Sequence, residues 1–353
     1  MPIEFKKYVG QSAFLDPNNN FKPEYQQIEH RRHPLTKRWC RINITRAQRP
    51  KSLHTIMSSD LLDSTTTNCP FCANNIDRMT PKFENLANRD RIRVGKSCLL
   101  PSKFPFGENH AVLVLTDAHF ITLDKLDHND LTNAFLACKE YIGLIKKKYD
   151  KIKYCAIGWN YSASAGATLI HPHLQVLAEE RPTTYLHSLI GHSEDYYSEE
   201  KSSYWKDIVN TEKTLGERYI FSSDEVDWVA GFAPQGNNGI VGIFKDASNM
   251  LDLNEKQIKE FSLGITDILK AYDAMGVNSF NLTVFSGPLA EQRKDFSLHA
   301  RLISRPIFGE YYTSDSSFMD RFHHEPVIET LPEETTRICK KYVNVDKYIS
   351  SLK

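Results

Sequence analysis

Ser164-Ala165-Gly166-Ala167-Thr168-Leu169-Ile170-His171-Pro172-His173-Leu174-Gln175 is the segment on which the reading of this 353-residue chain turns. From His171 onward it has the character of a strand, in which side chains 171, 173 and 175 share one face. Three polar groups on one side of an otherwise apolar strand need partners, because leaving each buried and unpaired costs roughly 1–3 kcal/mol. A phosphate would serve. The small-residue loop before them, with Ser164 and Gly166, lets a phosphate approach backbone N–H groups. A neutral imidazole, with an ordinary pKa of about 6.5, is a competent nucleophile toward an activated phosphoryl group. A covalent phospho-imidazole splits one transfer into two easier steps. Two satisfied core histidines are the structural alternative; the loop and Gln175 favour chemistry.

Working outward, Ala111-Val112-Leu113-Val114-Leu115 reads as a buried strand. Asp127 to Lys148 reads as an amphipathic helix, with Leu131, Phe135, Cys138, Ile142 and Ile145 at spacings of three and four. A short strand follows near Tyr154–Ile157. The same plan then recurs. Residues 238–247 lie over 109–118, a helix is predicted from about Asn254 to Met275, and a strand at Phe280–Phe285. Leu298-His299-Ala300-Arg301-Leu302 falls opposite Ile170-His171-Pro172-His173-Leu174. Both matches sit at an offset of about 128 residues, which points to duplicated halves. The expected fold is α+β, each half an antiparallel sheet covered by helices, divided as residues 1–190 and 191–353. In this alignment His171, His173 and Gln175 become His299, Arg301 and Ile303, and His119 becomes Ser248. Chemistry is therefore expected in the first half, with walls and binding groups from the second.

The length suits two domains. Lys+Arg and Asp+Glu are both 44, so the zero net charge argues against a general nucleic-acid or membrane-surface role. Neither a signal peptide nor a membrane-spanning run is evident, so a cytoplasmic chain is expected. Seven cysteines, an odd number over a long chain, fit reduced thiols. Cys69-Pro70-Phe71-Cys72 stands apart as a Cys-x-x-Cys. The first fifty residues are polar and Arg/Pro-rich, either a solvated arm or a source of phosphate-binding arginines.

Gly166 to Gln175 resembles the active-site segment of galactose-1-phosphate uridylyltransferases, members of the histidine-triad superfamily. Residues 30–36, Trp39 and Arg46-Ala47-Gln48-Arg49-Pro50 resemble that family's N-terminal signature. The resemblance implies two tandem histidine-triad-like halves and a covalent nucleotidyl-His173 intermediate. It implies that Gln175 and Thr168 hold phosphate oxygens, that Arg46 and Arg49 face phosphates, and that Asn160 lies at the substrate. It also implies a zinc ion on Cys69, Cys72, His119 and His171, holding His171 and through it His173. Two thiolates and two imidazoles form a closed, structural zinc shell. Family members are usually homodimers, so a homodimer is expected.

The chain departs from the family at the C-terminal Leu-His-Ala-His, where Arg301 replaces the second His, and no second metal site is expected. A fixed charge there could bind an anionic acceptor, with Arg301 counted among the substrate-binding residues. The implied activity is UDP-glucose:hexose-1-phosphate uridylyl transfer, with a nucleotide-sugar or nucleotide donor and a phosphate-bearing acceptor. The alternatives are a nucleotide-sugar (ADP-glucose) or dinucleoside-polyphosphate phosphorylase using inorganic phosphate, and a non-catalytic nucleotide-binding protein.

Overall fold

The computed structural model describes residues 3–48, 59–289, 291–309, 314–344 and 348. The first half contains β1 (Lys6–Asp16), β2 (Lys22–Arg32), β3 (Trp39–Ile42), α1 (Ser59–Thr66), α2 (Ala73–Met79), β4 (Ile92–Val94), β5 (Ser97–Pro101), β6 (His110–Val114), α3 (His128–Lys148), β7 (Tyr154–Tyr161) and β8 (His173–Glu179). Then follow α4 (Thr184–Glu200), α5 (Tyr204–Leu215), β9 (Tyr219–Ser222), β10 (Val226–Ala230), β11 (Ile240–Phe244), α6 (Glu255–Ala274), β12 (Phe280–Phe285), β13 (His299–Ser304), α7 (Phe318–Phe322), β14 (Val327–Ile328) and α8 (Pro332–Cys339).

Helix α3 begins where the sequence signals it. Asp127 caps it by accepting from the Asn129 N–H, and Lys146, Lys147 and Lys148 complement the negative end of its dipole. Leu131, Phe135, Cys138 and Ile142 are all buried in the main core. Helix α6 opens on a reciprocal capping box between Asn254 and Gln257. Both helices pack on one face of the sheet, over Leu174, Val176, Trp159, Leu282 and Leu302.

The two half-sheets are not separate. They run together as one ten-stranded sheet in the order β4-β5-β6-β8-β7-β12-β13-β11-β10-β9. The order reads the same from either end, half against half. Antiparallel pairing of β7 with β12 makes the join, and so removes two strand edges that would otherwise stand open.

The ladder corrects the residue-by-residue alignment of the halves. Val112 pairs with Gln175 and Val114 with His173; their counterparts Val241 and Ile243 pair with Arg301 and His299. Arg301 therefore corresponds to Gln175, and His299 to His173, not to His171. Sequence comparison slid this strand by one alternation, two residues, because the His-x-x spacing looks alike in both registers.

The first fifty residues are neither a loose arm nor, at Arg31, a phosphate ligand. A second sheet, β1-β2-β3-β14, draws the N-terminal hairpin against the C-terminal strand. Arg31, 2 % exposed, grips Glu333 of α8 through two hydrogen bonds of 2.7 and 3.2 Å. Glu333 also accepts from Arg218 at 2.8 Å, and Arg218 reaches the buried Glu212 at 2.8 Å. Removing one member leaves a buried charge uncompensated. We expect Arg31→Ala to lower the unfolding free energy by about 3 kcal/mol, read by urea denaturation. Burial raises the Glu333 carboxyl, but the hydrogen bonds and charge of Arg31 and Arg218 outweigh it and hold its pKa below the usual glutamate value. A depressed carboxyl stabilises the fold above its unfolded pKa and ceases to do so as pH falls through the folded one. The difference between wild type and Arg31→Ala should therefore narrow below about pH 4.3.

Candidate active site and metal centre

The face of the sheet away from α3 and α6 carries His173 and Gln175. Their neighbours Leu174 and Val176 point into the core, so strand alternation alone sets the polar pair on this side. His171 lies just before β8 and is fully buried.

His173 Nδ1 lies 2.9 Å from the carbonyl oxygen of His171. A carbonyl only accepts, so Nδ1 carries the proton and Nε2 keeps its lone pair. Burial lowers the His173 pKa, with the bond to the His171 carbonyl opposing, and the ring is neutral near pH 7. The Phe71 ring packs against it, centroids 5.3 Å apart, and edge-on against His171 at 6.0 Å. Phe71 stands between the two cysteines, so one short loop both supplies thiols and walls the candidate nucleophile. Nothing in the sequence singled it out for that.

Gln175 Oε1 accepts from His110 Nε2 at 3.1 Å, while His110 Nδ1 accepts from the Phe106 N–H at 3.4 Å. This sets the amide so that its NH2 group faces outward as a donor. His110 was missed by sequence reasoning. Its only signal was its place at the start of the predicted strand before Ala111, one ladder step from Gln175.

The loop 162–167 behaves differently from expectation. The N–H groups of Ala165, Gly166 and Ala167 turn inward onto the carbonyls of Ser162 and Ala163. Ser164 Oγ is likewise committed, 2.6 Å from the Pro306 carbonyl and 2.7 Å from Ser279 Oγ. These groups shape the loop and are not free to meet a phosphate. Gly166 sits at φ +95°, a conformation that favours glycine, and a Cβ there would come within 3.7 Å of the Asn160 amide. Thr168 is exposed beyond it. Among the described residues no inward backbone bond holds the N–H groups of 168–171. Asn160 lies on the His173 face, its Oδ1 accepting from Asn281 Nδ2 at 2.7 Å.

Arg46 lies in the short 3-10 turn Ile44–Gln48 after β3, and Arg49 lies outside the described residues. Arg301 shares the His173 face but belongs to the second half. The ladders set Gln175, Gly158, Thr283 and Arg301 in one row across four strands. Three strand spacings put β13 about 14 Å from β8.

Cys69, Cys72, His119 and His171 converge, with one ligand atom of each within 4.8 Å of all the others. His171 Nδ1 is 3.7 Å from both sulfurs, and His119 Nδ1 is 3.4 Å from Cys72 Sγ. Tetrahedral zinc, with sulfur at about 2.3 Å and nitrogen at about 2.0 Å, spaces its ligand atoms about 3.5 Å apart. The outer partners fit as well. His171 Nε2 donates to the Thr116 carbonyl at 2.8 Å, and His119 Nε2 meets Thr65 Oγ1 at 2.9 Å. Each contact leaves Nδ1 bare toward the thiols, the arrangement metal-ligating histidines need. Burial, opposed by the Thr116 bond, takes the His171 pKa down to about 4, so its ring is neutral. This cluster could hold a metal ion.

No helix among the described residues is long and apolar enough to cross a membrane.

Fold and site together define an α+β protein of two like halves sharing one antiparallel sheet, with a buried histidine and a Cys/His cluster in the first half. No family model matches it. It is 30% identical over 336 residues, 94% of this chain and 96% of the other, to an uncharacterized protein of Archaeoglobus fulgidus. It is 26% identical over 197 residues to an ADP-glucose phosphorylase of Arabidopsis thaliana, a match spanning 50% of this chain and 55% of that protein. The solved structure of an Arabidopsis thaliana ADP-glucose phosphorylase with bound ADP-glucose covers 90% of this chain and 99% of its own, with TM-score 0.70 and 19% identity. A uridylyltransferase structure covers 90% and 98%, with TM-score 0.65 and 16% identity. The chain belongs to one family with the Archaeoglobus fulgidus protein, and it shares its fold with the ADP-glucose phosphorylase and uridylyltransferase structures.

Proposed function

We propose that the protein is a nucleotidyltransferase that passes a nucleoside monophosphate from a nucleoside-diphosphate sugar to a phosphate-bearing acceptor through His173. The observation that carries this is the hydrogen bond from His173 Nδ1 to the His171 carbonyl, which leaves Nε2 as a fixed, neutral nucleophile. Nε2 attacks the α-phosphorus of the donor. A P–N bond forms, the P–O bond to the outer phosphate breaks, and the sugar 1-phosphate leaves with the electron pair. An ionised oxygen of the acceptor phosphate then attacks the same phosphorus and the P–N bond breaks. No general base is needed for an acceptor already ionised.

Charge on the equatorial oxygens is met by the Gln175 NH2 group, the Thr168 hydroxyl and the backbone N–H groups of 168–171. Asn160 and Gly166 bound the space beside His173. Arg46 and Arg49 are proposed as phosphate ligands on family resemblance alone. Cys69, Cys72, His119 and His171 would hold a zinc ion. It would supply a structural clamp on His171, and through that residue's carbonyl on His173. Inorganic phosphate is the acceptor we favour, and ADP-glucose the donor, because the named sequence relative is an ADP-glucose phosphorylase. Uridylyl transfer from UDP-glucose to a hexose 1-phosphate is the second reading, supported by the shared uridylyltransferase fold.

The test is to incubate the protein with ADP-glucose or UDP-glucose labelled at the α-phosphate and quench in alkali. Acid-labile label on the protein from either donor supports the scheme; its absence with both would sink the nucleotide-sugar reading. Discharge by inorganic phosphate or by hexose 1-phosphate then decides the acceptor. In the same assay His110→Ala should slow the labelling step by about ten-fold, because Gln175 loses the bond that aims its donor. His110→Gln, which can still donate to Gln175, should recover part of the rate. Equal rates in all three proteins would remove His110 from the scheme.

A further inference from the structure

We propose that the second half carries a separate pocket, built on Arg301, that binds the phosphate group of a small ligand. It does not depend on the His173 chemistry. A cavity of about 120 Å³ opens on the face of the sheet that bears His173, at the second half's end. Its polar lining is His33, Gln235, Asn281, Thr283 and Arg301, and Pro234, Ile240 and Leu302 are among its apolar walls. The ladder makes it the counterpart of the first-half site, with Arg301 standing where Gln175 stands.

Arg301 is held ready and left unneutralised. Its Nη1 donates to Tyr185 Oη at 2.7 Å, and its guanidinium lies 5.4 Å from the ring centroids of both Tyr185 and Phe285. Its Nε is buried with no partner, and it makes no ion pair among the described residues. Arg38 lies over the same Tyr185 ring, 4.8 Å from its centroid. His33 lines both this cavity and a smaller adjoining one that Arg38 also lines. Two guanidiniums against one tyrosine ring make a cationic site that an anion would join. A planar fork of N–H donors matches phosphate oxygens in pairs. The apolar walls suit a ligand body attached to that phosphate.

The pocket binds without reacting. His299 stands where His173 stands, and its Nδ1 meets the carbonyl two residues back at the same 2.9 Å. However, Trp205 stacks on its ring with centroids 3.9 Å apart, and the ring is fully buried. No phosphorus can approach Nε2 there.

The experiment is titration calorimetry of the full chain with inorganic phosphate and, separately, with 5′-AMP. It compares wild type, Arg301→Gln, Arg38→Gln and His173→Ala. Arg301→Gln should weaken one phosphate site by roughly ten- to hundred-fold. Arg38 is exposed, so Arg38→Gln tests the pocket without threatening the fold, and should weaken the same site several-fold. His173→Ala should keep it. Tighter binding of AMP than of phosphate assigns a nucleotide; equal affinity assigns free phosphate; either supports the pocket. Unchanged phosphate affinity in both arginine variants overturns it.

Discussion

His173→Ala is expected to abolish nucleotidyl transfer, by about 10⁴-fold or more, and to take up no acid-labile label from any donor. The size follows from the site. Among the described residues proposed for the site, His173 Nε2 is the basic lone pair left bare at neutral pH, since Gln175 presents its NH2 and Thr168 a hydroxyl. Removing the imidazole removes the covalent route rather than weakening it. Donor binding should persist, because the groups proposed to hold phosphate remain, so a thermal shift by ADP-glucose or UDP-glucose should survive the substitution. A variant that still turned over at the wild-type rate would place the chemistry elsewhere.

Cys69→Ser is expected to have the largest effect on stability among substitutions in the first half. Elemental analysis of the wild-type protein should find about one zinc per chain, and the variant should retain only a small part of it. The melting temperature should drop by about 5 °C or more, since the ion binds only the folded chain. Loss of the metal also frees the Cys69–Cys72 loop that carries Phe71, so labelling of His173 should slow although no metal ligand touches the donor. A chelator should reproduce both effects in the wild type, and zinc should reverse them. A metal-free wild type of unchanged melting temperature would leave the four residues as an ordinary core cluster.

Much of this site is local in the chain and hence legible in it. His173 and Gln175 fall two apart on β8, and alternation alone delivers them to one face, whereas His171, expected on the same strand, lies just before it. Cys69 and Cys72 share one turn. The two long helices were readable because capping residues and apolar spacing agree at Asp127 and Asn254. His110 was not readable, because its role exists only through a contact with Gln175 across 65 positions. The inward turn of the 162–167 loop was also hidden. Small residues permit a phosphate cradle, but they equally permit a loop that satisfies its own amides, and contacts to Ser279 and Pro306 decide for the latter.

By itself the sequence determined the α+β class, the doubled plan, the candidate nucleophile with its glutamine and the four residues that could hold a metal. The class and the doubled plan rest on periodicity and a repeat, while the nucleophile and the full metal-holding set came from the resemblance of the motifs around His173 and Cys69 to a known family. Only the tertiary structure decided that the halves share one sheet, that Arg31 is a buried strut and that His299 answers to His173. Register between distant strands and the partners of buried charges are set by packing across the whole chain, and short-range spacing does not encode them.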